Sequence, residues 1–324
     1  MKISPKYLLS ITAAIAVLIS LTGCKSKDAG IIEFTKWEYK TPEESKFSPL
    51  GAEEFTHLEK HVENQKGYLT IKTTFQVPKS LKKENLSLYI GELQIAGKIF
   101  VNGTRIGIFG SFPPKEFYSG KAAKSFSIPK NILLQNKQNE LQILMWCNGK
   151  CNISNAIYIG EQKNTDMKAL ENRFIMSDIN LLFTVAFLLI SLLYFLLYIK
   201  WHKEKEYLWY ALTNLATTFY LFPYYQSSVP WLTQNGGWLL YNKLFSGIAA
   251  LLTAYFATSF IREFLSQKDK PIVTTIRLCL LASASVWILS ITTYKEYVKY
   301  LPVLYSRHLP CASCKQIHNN KEAC

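Results

Sequence analysis

The stretch INLLFTVAFLLISLLYFLLYI, Ile179 to Ile199, divides this chain into two unlike halves. It contains no charged residue, and about 20 apolar residues in a helix cross the roughly 30 Å of hydrocarbon in a bilayer. The residues before it alternate between apolar and polar side chains, whereas those after it form further long apolar segments. The sequence therefore predicts an exported soluble domain joined to a polytopic membrane domain. This is the layout of a receptor or sensor and differs from that of a soluble enzyme.

The second half contains several segments with the length and apolarity of a membrane span. Within a helical domain at 178–305, the predicted spans cover residues 179–199, 207–225, 244–265 and 272–293, with a partial fifth at 297–305. Aromatic residues near the span ends fit the belt expected at a membrane surface: Trp201, Trp209, Trp231 and Trp238. No relay of Asp, Glu and His crosses these segments, which disfavours proton-coupled transport.

The loop charges predict an orientation. The first and third loops carry Lys and Arg, for example Lys203 and Arg262, whereas the second loop has no charge between Pro223 and Lys243. Basic loops stay in the cytoplasm, so the domain before the first span is predicted to be extracytoplasmic. We therefore expect a multi-pass protein of the bacterial cell membrane with its N-terminal domain in the periplasm or on the cell surface.

The N-terminus predicts the same orientation independently. Residues 1–24 combine Lys2 and Lys6 with a short apolar stretch, Tyr7 to Ser20, as an export signal does. The segment ends in Leu21-Thr22-Gly23-Cys24, which resembles the lipobox of bacterial lipoproteins. That resemblance implies cleavage before Cys24 and lipidation of its thiol; a nearby cut without lipid and an uncleaved anchor remain alternatives. Residues 25–35 are predicted to be a tether.

The first half has the pattern of an antiparallel β domain. Apolar residues recur mostly with a period of two between Tyr68 and Gly160, and the Asn102-Gly103 pair is a strong signal for a two-residue hairpin. The stretch Leu86 to Pro114 resembles the jelly-roll, galactose-binding-like modules attached to glycosidases and bacterial receptors. The predicted fold is an all-β sandwich at residues 36–165, followed by an α-helical transmembrane bundle.

Four residues are the candidates for ligand binding in this domain. Aromatic rings stack on sugar faces and Arg forks bind hydroxyls or carboxylates, which selects Trp37, Arg105, Phe112 and Tyr118 for a small-molecule or carbohydrate ligand. Trp146 has the same chemistry but lies in an alternating strand, and we predict it to be a core residue.

Two cysteines in the exported half are spaced for a small disulfide. Cys147 and Cys151 flank Asn148-Gly149-Lys150, a turn sequence, in a compartment that is predicted to be oxidising. A bridge requires the turn to bring the two Cα atoms within about 7 Å. Two free thiols are the alternative.

Several classes of function lack support in the sequence. The net charge of +14 is explained by the N-terminus and the span ends rather than by a nucleic-acid-binding stripe, so no nucleic acid is expected. There is no nucleophile elbow, phosphate loop or zinc-protease motif, and no enzyme or cofactor is predicted. His57 and His61 lie in a polar, solvated segment, and no metal site is predicted there.

The order of these parts resembles a known family. An export signal, the Leu86–Pro114 stretch, the segment Asn172 to Tyr198 that enters the first span, and the basic loop into Glu206–Phe222 are similar to the bacterial 7TM-DISM receptors, seven-transmembrane receptors with diverse intracellular signalling modules. The resemblance implies a ligand-sensing exported domain, with carbohydrate as one ligand class, coupled to a cytoplasmic output module. The chain departs from this pattern at an atypical tail, 306–324, which we interpret as truncation before the output module.

The leading hypothesis is therefore a membrane-bound sensor that acts through a membrane signalling partner. Two alternatives remain open, a membrane-anchored binding lipoprotein and a transporter subunit. A zinc site from Cys311, Cys314, His318 and Cys324 lacks a second structured ligand pair and is not predicted.

Overall fold

The computed structural model describes residues 30–299, with gaps at 83, 93–95, 119, 121, 150, 154–155, 230–236, 268–270, 295 and 298. Several predictions fall outside the described residues: the signal at 1–24 with Cys24, Trp231, most of the partial fifth span and the tail at 306–324.

The first domain is a sandwich of two antiparallel sheets, as predicted. One sheet has the order β1-β10-β5-β8, from Ile32–Glu33, Ile157–Glu161, Leu86–Ile90 and Lys124–Ile128. The other has the order β3-β2-β4-β9-β6-β7, from Ser48–Leu50, Trp37–Lys40, Lys66–Phe75, Asn139–Asn148, Ala96–Val101 and Thr104–Phe109. The short strands β1, β2 and β3 were not predicted, because two to four residues are too few to display a period.

The core lies between the sheets and follows the alternation in the two longest strands. In β4, Leu69 and Ile71 point inward, and Ile143 and Met145 do so in the paired strand β9; all four are fully buried. Successive side chains of a strand point to opposite faces, so the residues between them lie on the outer face of the six-stranded sheet. The residues of β4 and β9 that line the candidate site lie on this outer face.

The Asn102-Gly103 hairpin joins β6 to β7 and ties two further segments to it. Both turn residues have positive φ, 49° and 78°, as a type I′ turn requires. The Asn102 amide donates to the Ile132 carbonyl at 2.7 Å and to Asn139 Oδ1 at 2.8 Å, and its oxygen accepts the Glu140 N–H at 2.8 Å. Asn at this position therefore fixes the hairpin against the start of β9.

The second domain is helical, and three of its helices are long and apolar enough to cross a membrane. They are α1 (Gln162–Lys200), α4 (Trp238–Phe264) and α5 (Pro271–Ser290). The helix α2 (Lys205–Tyr220) is shorter and is followed by a short helix, α3 (Phe222–Tyr225). The second predicted span therefore differs from a single long helix: Pro223 lacks the N–H that would continue the helical hydrogen bonds.

Helix α2 packs between α1 and α4 through small and polar residues. Ala211, Asn214 and Ala216 are buried, and Ser191 of α1 donates to the Ala211 carbonyl at 2.8 Å. Small residues allow membrane helices to approach closely, and hydroxyl groups join them. At the end of α5, Lys243 Nζ donates to the Leu289 carbonyl at 2.8 Å, which places a cation at a helix C-terminus.

Candidate functional site

The candidate site is the junction where the β domain meets the ends of the helices that face it. The β domain reaches it with the loop that follows β7. Gly110 starts this loop with a φ of 62°, and Ser111 and Phe117 close it with two backbone hydrogen bonds of 2.7 and 3.1 Å. The loop includes a cis peptide bond between Pro113 and Pro114. It delivers two aromatic residues, Phe117 and Tyr118, to the helices.

The two loop aromatics pack against aromatic residues of the helical domain. Phe117 lies 5.1 Å from Trp238 and 5.8 Å from Tyr241, measured between ring centroids. Tyr118 lies 5.0 Å from Trp238 and 5.9 Å from Tyr294, which follows α5. Aromatic pairs at these distances attract one another beyond the effect of burial alone. The contact therefore connects the β domain to α4 and to the segment that follows α5.

Tyr118 was predicted to bind ligand, but its side chain is 1% exposed and belongs to this contact. Its hydroxyl donates to the Asn148 carbonyl at 3.4 Å. Burial, and then the negative charge of Glu116, raise the pKa of the Tyr118 hydroxyl above its ordinary value. The hydroxyl is therefore neutral and buried within this contact, and a role of Tyr118 in ligand binding stays a prediction.

A cavity of about 350 Å³ lies at the same junction. On the β side it is lined by Asn64, Lys66, Pro114, Glu116, Asn148 and Gly149, and on the helical side by Gly237, Trp238, Leu239, Thr292, Thr293 and Tyr294. This volume lies in the range of small-molecule sites. Sequence reasoning missed the cavity, because its two walls come from opposite halves of the chain.

A second connection between the domains is helix α1 itself. Its first turns pack against the four-stranded sheet, where Thr165 hydrogen-bonds Ser87 and the Asn172 side chain accepts the Ala123 N–H at 2.8 Å. The same helix then continues into the apolar stretch at Ile179 without an intervening loop. One continuous helix therefore contacts the four-stranded sheet and forms the first candidate membrane span.

A π-helical turn, Phe174–Asp178, interrupts α1 where it leaves the β domain. Asp178 accepts a hydrogen bond from Ser228 and lies 3.5 Å from the Arg173 guanidinium, measured from Oδ2 to Nε. The Ser177 and Ser228 hydroxyls are 2.7 Å apart. Single π turns inside α-helices occur frequently at functional sites. Here the turn is tied to the segment that follows α3.

Of the other three predicted ligand residues, Trp37 and Arg105 lie outside the loop that forms this junction, whereas Phe112 belongs to that loop. Trp37 is 8% exposed and packs in the sandwich core, with its ring centroid 5.4 Å from those of both Phe34 and Phe55, and a ligand role for it stays a prediction. Arg105 is exposed on β7 beside the hairpin turn. Phe112 is half-buried, and Lys98 Nζ lies 4.8 Å from its ring centroid.

Trp146, predicted to be a core residue, lies instead on the outer face of β9. It packs 4.9 Å from Tyr68, which in turn lies 5.7 Å from Phe112. The outward direction of Trp146 could have been predicted from the sequence. Ile143 and Met145 point inward, and Trp146, one residue after Met145, must point to the opposite face of the strand. The three rings form an aromatic cluster on the outer sheet face.

Cys147 and Cys151 form a disulfide at the end of β9, with their Cα atoms 5.1 Å apart. Both residues are fully buried. Glu59 accepts the Cys151 N–H at 3.1 Å, so this carboxylate stabilises the bridged turn. In the described residues no group of three His, Cys, Asp or Glu side chains is arranged to hold a metal; His57 lies between two 3₁₀ turns, and His61 ends the second of them.

Two family models match the chain, one in each domain. Residues 177–312 match the model described as 7TM diverse intracellular signalling. Residues 38–151 match the second all-beta domain of beta-galactosidase. The chain is therefore a membrane protein in which an all-β domain precedes a helical domain of a signalling class. Each match covers less than half of the chain: the helical domain is similar to the membrane domain of the 7TM-DISM receptors, and the β domain is similar to a domain of beta-galactosidase.

Several solved structures share a limited likeness with the chain. A β-D-mannosidase from Dictyoglomus thermophilum is 19% identical, with a TM-score of 0.28, over 36% of this chain and 16% of that one. A β-D-glucuronidase for Dictyoglomus thermophilum is 16% identical, with a TM-score of 0.29, over 38% and 20%. A Bifidobacterium dentium β-glucuronidase complexed with coumarin-3-O-glucuronide is 14% identical, with a TM-score of 0.29, over 38% and 21%.

This chain thus spans about a fifth or less of the length of these enzymes, and their activity is not transferred to it. No curated protein matches the chain.

Proposed function

We propose that this protein is a membrane receptor whose extracytoplasmic β-sandwich binds a ligand and passes a change of position to the helices. The observation that carries the proposal is the buried contact of Tyr118 with Trp238 and Tyr294, which joins the sandwich to α4 and to the end of α5. Helix α1 supplies the second, covalent connection. A loosely tethered binding domain needs neither feature, which disfavours the anchored-lipoprotein alternative.

The coupling is tested by hydrogen–deuterium exchange on the full chain in nanodiscs. Tyr118→Ala is expected to increase exchange in the first turns of α4 as well as in its own loop. The matched control is Phe75→Ala. It removes a buried core aromatic at the C-terminal end of β4, whereas the N-terminal end of β4 lies at the junction. If both variants change exchange in α4 equally, the effect is general destabilisation and the coupling proposal fails.

The orientation belongs to the same proposal, and the loop charges support it. Reporter fusions after Lys203 and Gln234 are expected to report opposite sides, the first cytoplasmic and the second extracytoplasmic. Two fusions on the same side contradict the orientation. Lipidation of Cys24 is a separate proposal: palmitate incorporation that is lost in Cys24→Ala supports it, and no incorporation removes it.

We propose carbohydrate as the ligand class of the outer sheet face. The match to a beta-galactosidase all-beta domain and the aromatic cluster of Tyr68, Phe112 and Trp146 support this class. Glycan-array binding by the detergent-solubilised chain, lost in Phe112→Ala and retained in Arg105→Ala, assigns the cluster. If glycan binding is lost only in Arg105→Ala, the ligand site is assigned to the β6–β7 hairpin instead. The signalling partner stays a prediction from the sequence.

A further inference from the structure

We propose that the junction cavity binds a small zwitterion, with its cationic amine at Glu116 and the aromatic wall and its anionic group at Lys66. This inference rests on the proposed receptor function and adds to it a second site and a ligand class. The site differs from the aromatic cluster on the outer sheet face, because its walls come from both domains. A ligand held there contacts both sides of the coupling interface.

The arrangement of charges around the cavity carries the first step. Lys66 and Asn148 are directly opposite each other across β4 and β9, and the Asn148 amide donates to both carboxylate oxygens of Glu116 at 3.1 Å. Asn148 therefore lies between an ammonium group and a carboxylate. In the described part of the chain Lys66 and Glu116 form no ion pair with each other or with another residue within 4.0 Å, although they line one cavity.

Two separated opposite charges on one wall match a ligand that carries both charges itself. A carboxylate has about four lone-pair positions, so Glu116 can accept hydrogen bonds from an amine while it keeps those from Asn148. Lys66 supplies three donors to a carboxylate or phosphate. A neutral ligand leaves this pattern unused, and an ion of one sign uses only half of it.

The opposite wall is aromatic and suits the cationic end. Trp238 and Tyr294 line the cavity, with their ring centroids 6.0 Å apart. A cation over the face of Trp or Tyr is attracted by the ring quadrupole, and paired aromatic walls recognise ammonium groups. The hydroxyl-bearing residues Thr292 and Thr293 complete this side. Both aromatic residues also contact Tyr118, so the ligand touches the rings that couple the domains.

The same chemistry has two sources, a free amino acid or betaine and the headgroup of a zwitterionic lipid. Both are tested on the full chain in nanodiscs. The free probes are L-phenylalanine, L-lysine and glycine betaine, added to nanodiscs of phosphatidylglycerol, which has no amine. The lipid probe replaces part of that lipid with phosphatidylethanolamine. The neutral comparison is D-glucose. Binding is measured as the shift of the thermal unfolding midpoint with probe concentration.

We expect at least one zwitterionic probe to raise the midpoint with saturation, and Glu116→Gln and Lys66→Met to weaken its apparent affinity by about tenfold or more each. The matched controls are Glu140→Gln on β9 and Lys72→Met on β4, which remove charges of the same sign from positions that do not line the cavity. A response only to phosphatidylethanolamine assigns the site to lipid.

The proposal is overturned if no zwitterion shifts the midpoint, if D-glucose acts equally well, or if the control variants weaken binding as much as the cavity variants. Its failure is distinguishable from failure of the receptor proposal. When exchange in α4 still responds selectively to Tyr118→Ala, the coupling stands and only the ligand class is lost.

Discussion

Tyr118 of the β domain and Trp238 of helix α4 pack with their ring centroids 5.0 Å apart, and Tyr118 is almost completely buried by this contact and its neighbours. One residue belongs to an irregular loop of the sandwich and the other to the first turn of a membrane helix. In the proposed receptor, this contact lets a ligand that binds one of two states of the β domain more tightly also shift the equilibrium of the helices.

The Tyr118–Trp238 contact is expected to show energetic coupling. Each single substitution, Tyr118→Ala or Trp238→Ala, is expected to cost about 3–5 kcal/mol of unfolding free energy, as large aromatic truncations in cores do. The double variant should cost less than the sum by about 0.5–1.5 kcal/mol. Detergent-driven unfolding of the four forms measures this cycle. Trp209 lies in α2 and serves as the control partner; coupling of equal size between Tyr118 and Trp209 contradicts a specific contact.

Gly110→Ala is expected to disturb the loop that carries Phe117 and Tyr118. A Cβ atom at this position meets the Phe117 carbonyl oxygen at 2.5 Å, and the backbone has a φ of 62°. Gly103 has a similar φ of 78°, but a Cβ atom added there meets no other atom within 4 Å. Gly103→Ala should therefore cost only the left-handed penalty of about 1–2 kcal/mol, and Gly110→Ala more. Equal costs, measured by thermal unfolding, refute the steric account.

Asp178→Asn is expected to loosen the π-helical turn of α1. The substitution removes the charge that faces Arg173 and weakens the hydrogen bond from Ser228. A hydrogen bond to a charged group contributes about 1.5–3 kcal/mol, and partial exposure places the expected loss at the lower end. The measurement is hydrogen exchange at 174–178, with the exposed Asp166→Asn in the same helix as control. Unchanged exchange in Asp178→Asn contradicts the proposal that the Asp178 interactions stabilise the π-helical turn.

Reduction of the Cys147–Cys151 bridge is expected to destabilise the β domain by about 2 kcal/mol, the value that the chain-entropy relation gives for a loop this short. The bond itself is tested by alkylation and mass spectrometry of the native protein without reductant. The Cys147→Ser, Cys151→Ser double variant should lower the denaturation midpoint and lose its response to reductant. Alkylation of both thiols in the native, unreduced protein contradicts the disulfide.

The amino-acid sequence by itself determined the parts that depend on local periodicity. Alternation in β4 and β9, the Asn102-Gly103 turn and the charge-free stretch from Ile179 each carry their own signal, because a period or a hydrophobic length is a property of neighbouring residues. Parity along β9 even indicates the outward direction of Trp146. The shorter second helix was less predictable, because its end at Tyr220 depends on one proline within an otherwise apolar segment.

Only the tertiary structure decided which aromatic residues are available to a ligand. Trp37 and Tyr118 have the chemistry of a sugar site, yet Trp37 is packed against Phe34 and Phe55 in the sandwich core, and Tyr118 is packed against residues of the helical domain far along the chain. The cavity at the junction depends on the same long-range packing, since Lys66 and Glu116 come from the β domain and Trp238 and Tyr294 from the helical one. Burial is a property of what packs against a residue, and for Tyr118 and the two walls of the cavity the packing partners are distant in sequence.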